Sequence, residues 1–531
     1  MNSASTASLA IVNAKVWTGD SARPWAEAIE VNGDTIVAVG SSAEVRKMNA
    51  ARVVDAKGGM VTPGFIDAHV HFVTGGFRLS SVQLRDARTP EEFVRRIREF
   101  AATVPAGTWI TGGDWDHEQW GGQLPERSWI DSITPDHPVW VNRLDGHMAL
   151  ANSAALRAAN VSGQTRDVDG GAIVRSSGRE PTGILKDNAQ SLVDRVVPDP
   201  PETLQDRALD TAMTYVASHG VTSVHNMGSW SDLAIFERAH AAGRLRTRIY
   251  AAVPLSTWER LRDTLQARGS GDEWLRIGAL KGFVDGSLGS HTAAMLEPFT
   301  DAPADRGLFV NTPEDLYRWT VGADKAGLHV MIHAIGDRAI RTLLDTYERV
   351  GRENGLRDRR FRMEHAQHIA PEDFPRFAAA GVIASMQPYH AIDDGRWADK
   401  VIGPERAKGT YAFRSLLDNG AMLAFGSDWF VAPPTPLEGI YAAVTRRTLD
   451  DRNPGGWVPG QKITVEEALR AYTIGSATAS FDEARKGTLA RGKLADLVLI
   501  NRDLTTIPAD SIRDARITMT VVGGRVVYER Q

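Results

Sequence analysis

Short apolar runs alternate with longer amphipathic segments through the middle of the chain. Helical spacing of apolar positions separates most of these runs, for example over residues 201–219 and 313–326. The runs that we interpret as buried strands are residues 64–70, 221–227, 248–253, 279–284, 329–334, 361–366, 382–386 and 423–427. Eight strand–helix units in series predict an α/β protein with a (β/α)₈ TIM-like barrel. The last helix is expected to start at Thr464, which stands three residues before Glu467 in the spacing of a capping box.

Both chain ends carry the pattern of strands and turns. Residues 9–16 form one apolar run, and Asn32-Gly33 lies between two further runs, which predicts a type I′ hairpin with positive φ at both turn residues. Near the other end, residues 494–500 and 517–522 predict strands, and Gly523-Gly524 turns the chain into residues 525–528. Neither end has enough strands for a core of its own. One small β-sandwich built from both ends is the simplest prediction, and two separate flaps on the barrel are the alternative.

This organisation predicts three parts of the chain. Residues 1–61 and 485–531 form the sandwich, and residues 62–484 form the barrel, with a large insertion at residues 72–200 after the first barrel strand. The insertion should lie at the barrel mouth, where active sites form. It holds five of the 14 tryptophans, and we expect most of them to pack in its own core: Trp109, Trp115, Trp120, Trp129 and Trp140.

Composition narrows the classes of function. The 531 residues are 42% hydrophobic and 24% charged, as in a globular protein of two or three domains. A net charge of −5 offers no basic field for nucleic acid, and the absence of cysteine excludes disulfides and thiol catalysis. The first 17 residues lack the basic and apolar regions of a signal peptide, and no apolar run is as long as a membrane span. We therefore expect a cytoplasmic protein that acts on a small molecule, without membrane partners.

Residues able to bind a metal stand at the ends of several predicted strands. His69 and His71 close the first strand, and they point the same way because side chains alternate along a strand. Two imidazoles so placed can bind one metal ion. A lone His-x-His is more often an ordinary strand end. Here, however, further candidates end the fourth, fifth, sixth and eighth strands, and these ends converge in a barrel: Lys281, His333, His365 and Asp428.

Several motifs resemble the amidohydrolase superfamily of metal-dependent hydrolases. They begin with PGFIDAHVH at residues 63–71 and end with KGTL at 486–489 and GKLADLV at 492–498. The remaining motifs are similar to the amidohydrolase 3 branch, which includes the N-substituted formamide deformylases and YtcJ-like proteins. They are GDWD at 113–116, Gly146-His147 with Asn152-Ser153, FVDGSLGS at 283–290, EHAQ at 364–367 and GSDW at 426–429. His291 stands where this resemblance leads us to expect arginine.

The resemblance implies a centre of two divalent metal ions, taken to be zinc, in a protein that forms a homodimer. His69, His71 and Asp428 would hold the more buried ion, and His333 and His365 the second. Lys281, carboxylated by carbon dioxide, would bridge the two ions, because a carbamate is an anion whereas an ammonium cannot bind a cation. The alternative for Lys281 is a salt bridge to a carboxylate such as Asp285, with a single metal ion in the site.

Candidate substrate-binding residues come from the same motifs and from aromatic positions beside strand ends. They are His147, Asn152, Trp115, His291, Tyr389 and Trp429. Pocket aromatics would favour an apolar group on the substrate, although each of these aromatic residues could serve packing instead.

Three functions are compatible with this sequence. The resemblance favours a metal-dependent hydrolase that cleaves an amide-type C–N bond of an N-acyl or N-formyl amine or amino acid. A metal-bound hydroxide would attack, and Asp428 would act as the catalytic proton shuttle. A heterocyclic ring deaminase is the first alternative, but His333 is followed by Ala334-Ile335-Gly336-Asp337 and not by the glutamate expected of such enzymes. A non-enzymatic regulatory or binding protein is the second.

Overall fold

The computed structural model describes residues 8–530. Residues 1–7 and Gln531 lie outside this range. The first residues of the predicted sandwich, and of the segment examined for a signal peptide, therefore lie outside the described residues. Within residues 8–530, no helix combines the length and apolar character needed to cross a membrane.

Eight parallel strands form one sheet in chain order, as the sequence predicted. The barrel strands are Phe65–Val70, Val221–Met227, Arg248–Pro254, Leu275–Phe283, His329–Ala334, Arg362–His365, Ile383–Met386 and Leu423–Phe425. Two backbone hydrogen bonds bring the last strand end to the first, from the Asp428 amide to the His69 carbonyl (2.7 Å) and from the His71 amide to the Trp429 carbonyl (2.6 Å). Residues beyond the eighth strand are therefore held directly against the end of the first.

Helices surround this sheet and turn their apolar side chains towards it. Their bounds are Phe72–Arg78, Glu202–Ser218, Trp230–Ala241, Trp258–Arg268, Pro313–Lys325, Asp337–Asn354, Phe374–Ala379, Pro388–Asp394, Ala398–Ile402, Pro404–Ala407, Phe413–Asp418, Pro436–Thr445, Val465–Arg470 and Ser476–Thr478. The predicted capping box is present at Thr464, whose hydroxyl accepts from the Glu467 amide while the Glu467 carboxylate accepts from the Thr464 amide. The barrel is thus a helix-covered α/β fold with one continuous apolar core.

The chain ends build two packed sheets, as predicted. A four-stranded sheet contains Leu9–Val12, Ala28–Asn32, Thr35–Gly40 and Arg52–Asp55, with the helix Ser42–Arg46 beside it. A six-stranded sheet contains Lys15–Trp17, Trp25–Ala26, Met60–Pro63, Leu497–Ile500, Ile517–Val522 and Arg525–Glu529. Met60–Pro63, which leads into the first barrel strand, pairs antiparallel with Leu497–Ile500. Apolar residues from both ends share one core. The exact domain boundaries stay a prediction.

Two details at the N-terminal end differ from the prediction. The run over residues 9–16 is two strands rather than one, because Asn13 adopts a positive φ of 56° and sends the chain from one sheet to the other. The hairpin turn is Gly33-Asp34, since Asn32 pairs with Thr35 and only Gly33 of the two turn residues has a positive φ. The type I′ prediction was therefore wrong.

The insertion has a sheet of its own. Its strands are Val82–Gln83, Ile110–Trp115, Val139–Arg143, Met148–Ala151, Gly171–Arg175 and Pro181–Asp187, and its helices are Pro90–Ala101, Ser153–Ala158 and Ser191–Asp194. The rings of Trp115, Trp120 and Trp129 pack around Phe93, with centroids 5.7–6.5 Å from that of the phenylalanine. This confirms, for these three tryptophans, the expectation that they form the core of the insertion.

Candidate metal centre

The two histidines at the end of the first strand converge on one carboxylate. His69 is buried, whereas the side chain of His71, one residue beyond the strand, is 28% exposed. Asp428 Oδ1 lies 3.4 Å from His69 Nε2 and 3.3 Å from His71 Nε2. The alternation of side chains along the strand therefore brings both imidazoles to one side, as predicted.

A third histidine joins this group from the sixth strand. His69, His365 and Asp428 each offer a ligand atom within 4.8 Å of the other two, and all three residues are buried. The ring of His365 also lies 4.5 Å from that of His333, centroid to centroid. Four strand ends thus deliver side chains of metal-ligand type to one small volume.

Unusual backbone conformations help to bring these residues together. His365 has a φ of 72° and Asp428 a φ of 60°, in a region that residues other than glycine rarely occupy. Neighbouring residues of a strand normally point to opposite faces. Glu364 and His365 nevertheless both reach His69, because the chain leaves the extended conformation at His365.

His333 presents only one of its nitrogens to this group. Its Nε2 donates a hydrogen bond to the Gly286 carbonyl at 2.9 Å and lies 3.5 Å from Asp285 Oδ1. Nδ1 is therefore the nitrogen that remains available to bind a metal ion. Burial lowers the pKa of His333, which favours the neutral imidazole that metal binding requires.

Lys281 stands inside the same group and makes no salt bridge to Asp285. Its Nζ lies 3.3 Å from His69 Nε2. The Asp285 carboxylate instead accepts hydrogen bonds from the backbone amides of Ala294, Ile335 and Gly336. Burial lowers the pKa of Lys281 to about 8, although Glu364 and Asp428 act in the opposite direction. An appreciable fraction of this amine is uncharged near neutral pH, which is the form that can react with carbon dioxide.

A buried pair of charges orients His69. Glu364 Oε2 accepts from His69 Nδ1 at 2.6 Å, and Glu364 Oε1 accepts from Arg362 Nε at 2.8 Å, with all three side chains fully buried. Burial would raise the pKa of Glu364, but Arg362 and His69 outweigh it and hold this pKa at about 2. Burial and Lys281 lower the pKa of His69 to about 4. The neutral ring therefore carries its proton on Nδ1 and turns its unprotonated Nε2 towards Lys281 and Asp428.

The sequence interpretation did not assign roles to Arg362 and Glu364. They alternate with Met363, so both point to the same face of the sixth strand. Two charged residues on one face of a fully buried strand were the available signal, because such residues are seldom buried unless they are paired.

His147 is the predicted substrate residue that the structure brings to the metal centre. Its ring lies 5.0 Å from the ring of His333, and its Nδ1 donates to Asp187 Oδ1 at 2.7 Å. Burial lowers the pKa of His147, but Asp187 and Asp145 outweigh this effect and raise it overall. A narrow cavity of about 40 Å³ lies beside these groups, lined among others by Arg143, Asp145, His147, Ser287, His333, His365, His390 and Asp428.

Two other predicted substrate residues serve the insertion instead. Asn152 is 1% exposed, and its amide is fully used: Oδ1 accepts from the amides of Val139 and Ala155, and Nδ2 donates to Thr134 and His137. Trp115 is buried, and its Nε1 donates to the Val141 carbonyl. Asn152 thus caps a helix and Trp115 packs the core of the insertion, and substrate binding by either residue stays a prediction.

The remaining candidates lie around the centre rather than in it. Trp429 is 5% exposed and stacks on Tyr215 with centroids 5.4 Å apart, so it packs the barrel and does not line the cavity. His291 Nε2 pairs with Asp301 Oδ1 at 3.0 Å, away from the cavity lining. Substrate binding by these two residues stays a prediction. Tyr389 is partly buried beside His390, and its role stays a prediction.

Comparison with known proteins adds to this geometry. The model of the Amidohydrolase family matches residues 52–528. Protein LONG AFTER FAR-RED 3 of Arabidopsis thaliana is 41% identical, over 98% of this chain and 92% of its own length. The N-substituted formamide deformylase of Arthrobacter pascens is 30% identical, over 98% of each chain. The crystal structure of an uncharacterized metal-dependent hydrolase from Pyrococcus horikoshii OT3 is similar with a TM-score of 0.76 and 28% identity, over 95% of this chain and 99% of that chain.

Proposed function

This chain belongs to the amidohydrolase family, and we propose that it hydrolyses an amide-type C–N bond, such as that of an N-acyl or N-formyl amine. The observation that carries the proposal is the convergence of ligand-type side chains from five barrel strands, of which the eighth supplies Asp428. The formamide deformylase relative supports this bond class, since it aligns with nearly the whole chain.

The chemistry of the donor set fits divalent metal ions. Asp428 Oδ1 is buried and has no hydrogen-bond partner among residues 8–530, although it lies close to two imidazoles. A buried, ionised oxygen without a hydrogen-bond partner lowers the stability of the fold unless a cation binds to it. The ligands we propose for two zinc ions are His69, His71, Lys281 as its carbamate, His333, His365 and Asp428. When bound, such ions would polarise the substrate carbonyl and lower the pKa of water towards about 7.

We propose that Asp428 moves the proton that hydrolysis requires. Burial would raise its pKa, but His69, His71 and His365 outweigh burial and hold the pKa well below its ordinary value. The ionised carboxylate can accept the proton of the attacking water and then deliver it to the leaving nitrogen. Asp428 also lines the cavity beside these groups, where a substrate bound in it would reach the carboxylate.

We propose that His147, which lines the same cavity as Asp428, also acts on the substrate. Asp187 fixes the ring through Nδ1, which leaves Nε2 as the atom free to contact substrate. Because the raised pKa of His147 favours its protonated form, Nε2–H can donate to a carbonyl oxygen as negative charge develops there. This pairing supports a polarising role for His147, which the sequence pattern alone did not specify.

A ring deaminase is less well supported by the fifth strand end. Asp337 is the first acidic residue after His333, but its carboxylate accepts from the backbone amides of Leu296 and Arg338. Asp337 is therefore engaged at the start of a helix and does not line the cavity.

A turnover screen with metal analysis tests the proposal. Protein purified without added metal would be assayed on N-formyl, N-acetyl and longer N-acyl amines, beside esters and aminopurines. We expect amide cleavage and about two zinc ions per chain. His69→Ala should lose both, whereas His240→Ala, which removes a half-exposed ring paired with Asp272, should keep both. Ammonia release from a ring without amide cleavage would contradict the proposal, as would a fully metallated protein with no turnover.

A further inference from the structure

A second and larger cavity lies in the insertion, and the proposed chemistry does not use it. Its volume is about 540 Å³, within the range of small-molecule sites. Aromatic side chains contributed by distant parts of the chain line it: Phe77, Phe100, Trp109, Trp140 and Phe430. We call this space the insertion cavity. Its lining suits a ring-sized apolar group.

The insertion cavity adjoins the metal centre through one thin wall. Phe430 lines the insertion cavity, while the next residue, Val431, lines the cavity of the metal centre. In the same way, Gly146 lines the first space and His147 the second. The Phe430 ring lies 5.7 Å from the ring of His71, the most exposed of the predicted histidine ligands. A substrate with its scissile bond beside His71 could therefore extend past Phe430 into the insertion cavity.

The polar corner of the insertion cavity contains a donor and an acceptor without partners. Arg78 Nε and Asn142 Oδ1 are buried atoms that have no hydrogen-bond partner among residues 8–530, and both residues line the cavity. They meet at Asp114, whose Oδ1 lies 3.3 Å from Arg78 Nε and 2.8 Å from Asn142 Nδ2. The Arg78 guanidinium also lies over the Phe430 ring, 4.8 Å from its centroid.

Chemistry of this kind points to a particular class of ligand. The Arg78 side chain is 18% exposed and has Asp114 as an ionic partner at Nε, but its other N–H groups can still bind an acceptor that carries charge. Two acids also line this cavity, Asp194 and Asp199, and Asp194 already accepts from Trp140 Nε1 at 2.8 Å. We propose that the insertion cavity binds the non-reacting part of the substrate, an aromatic or similar apolar group that bears a carboxylate. This inference extends the proposed amide hydrolysis. It rests on that function only in identifying the bound ligand as part of the substrate.

Binding of non-reacting probes tests the cavity without any turnover. Phenylacetate and its uncharged counterpart phenylethanol would be titrated into the metal-loaded protein by calorimetry. We expect phenylacetate to bind the wild-type protein roughly 10- to 100-fold more tightly, the usual effect of a hydrogen bond to a charged group. Arg78→Met should abolish this preference, and Trp109→Leu should weaken both probes. Arg98→Met, an exposed change in the insertion helix Pro90–Ala101, is the matched control and should alter neither.

Kinetics on a matched pair of amides separates this inference from the proposed function. N-Acetylphenylalanine and N-phenethylacetamide differ only in the carboxylate. Arg78→Met should raise KM for the first roughly 10-fold or more and leave the second nearly unchanged. If amides are cleaved but neither Arg78→Met nor Trp109→Leu changes binding or KM, the insertion cavity is not the subsite. If the probes bind as expected but no amide is cleaved, the cavity is a ligand site and the proposed function is wrong.

Discussion

Replacing Glu364 by glutamine tests whether the buried charges beneath the metal centre determine its affinity for metal. The carboxylate accepts from both Arg362 and His69, and it is ionised at neutral pH because its pKa is held at about 2. Glutamine has nearly the same shape but only one acceptor oxygen. Its amide NH₂ must therefore face either the guanidinium or the Nδ1–H of His69, so that two donors oppose each other.

The expected magnitude follows from the complete burial of these side chains. Loss of one partner from a buried ion pair leaves the other charge uncompensated, which costs about 3–5 kcal/mol of unfolding free energy. Loss of the group that orients a metal-binding histidine usually lowers metal affinity about 10- to 100-fold. We therefore expect Glu364→Gln to be less stable and to bind zinc more weakly.

Two measurements on the same protein distinguish these effects. Zinc affinity would be measured by competition with a chelator, and stability by urea unfolding of the metal-free protein. Glu372→Gln is the control, because Glu372 is 76% exposed and its pairing with Arg341 at 3.3 Å should contribute less than about 1 kcal/mol. Unchanged zinc affinity in Glu364→Gln would refute the positioning role, even if stability falls. Unchanged stability would refute the burial argument.

Three further predictions concern catalysis and pH. Asp428→Asn should keep the fold and lower kcat roughly 10²–10⁴-fold, as loss of a general acid–base does, and wild-type kcat in this variant would exclude Asp428 as the proton shuttle. His147→Ala should lower kcat/KM while metal analysis finds the metal content unchanged; loss of metal would instead make His147 part of the metal site. Burial, reinforced by Asp393, raises the pKa of Asp394 from 3.8 to about 7, so the folded protein retains a proton that the unfolded chain has lost. Stability should therefore fall as pH rises from about 4 to about 7, and Asp394→Asn should flatten this slope in urea unfolding; an equal slope in both proteins would show that Asp394 is ionised throughout.

The barrel was predictable because its strands, and the strand ends that carry the candidate ligands, follow simple periodicities. His69 and His71 converge because strand side chains alternate, which is a local property of the sequence. The residues that orient these histidines were harder to identify. Glu364 approaches His69 across 295 positions of the chain, and only the closed sheet brings the two together. The positive φ of His365 likewise depends on its surroundings, since the sequence around it reads as a regular strand.

Residues in the insertion were more difficult to interpret, because polar and aromatic side chains there serve two purposes. Asn152 stands in a motif of the family, yet its amide caps one helix and holds the neighbouring residues Thr134, His137 and Val139. Trp115 is equally buried in packing. The insertion cavity was not predicted at all, because Phe77, Trp140 and Phe430 come from separate segments whose meeting depends on how the insertion docks on the barrel.

The pairing of Met60–Pro63 with Leu497–Ile500 has a consequence for biosynthesis. Pro63 and Leu497 face each other in the sheet although 434 positions separate them along the chain. At about 5–20 residues per second, the ribosome needs roughly 20–90 s to make the segment between them. Throughout that time, the strand that leads to His69 leaves the ribosome without its C-terminal neighbour. The nascent chain must therefore keep an unpaired strand edge from aggregating, by chaperone binding or by provisional contacts, until translation is nearly complete.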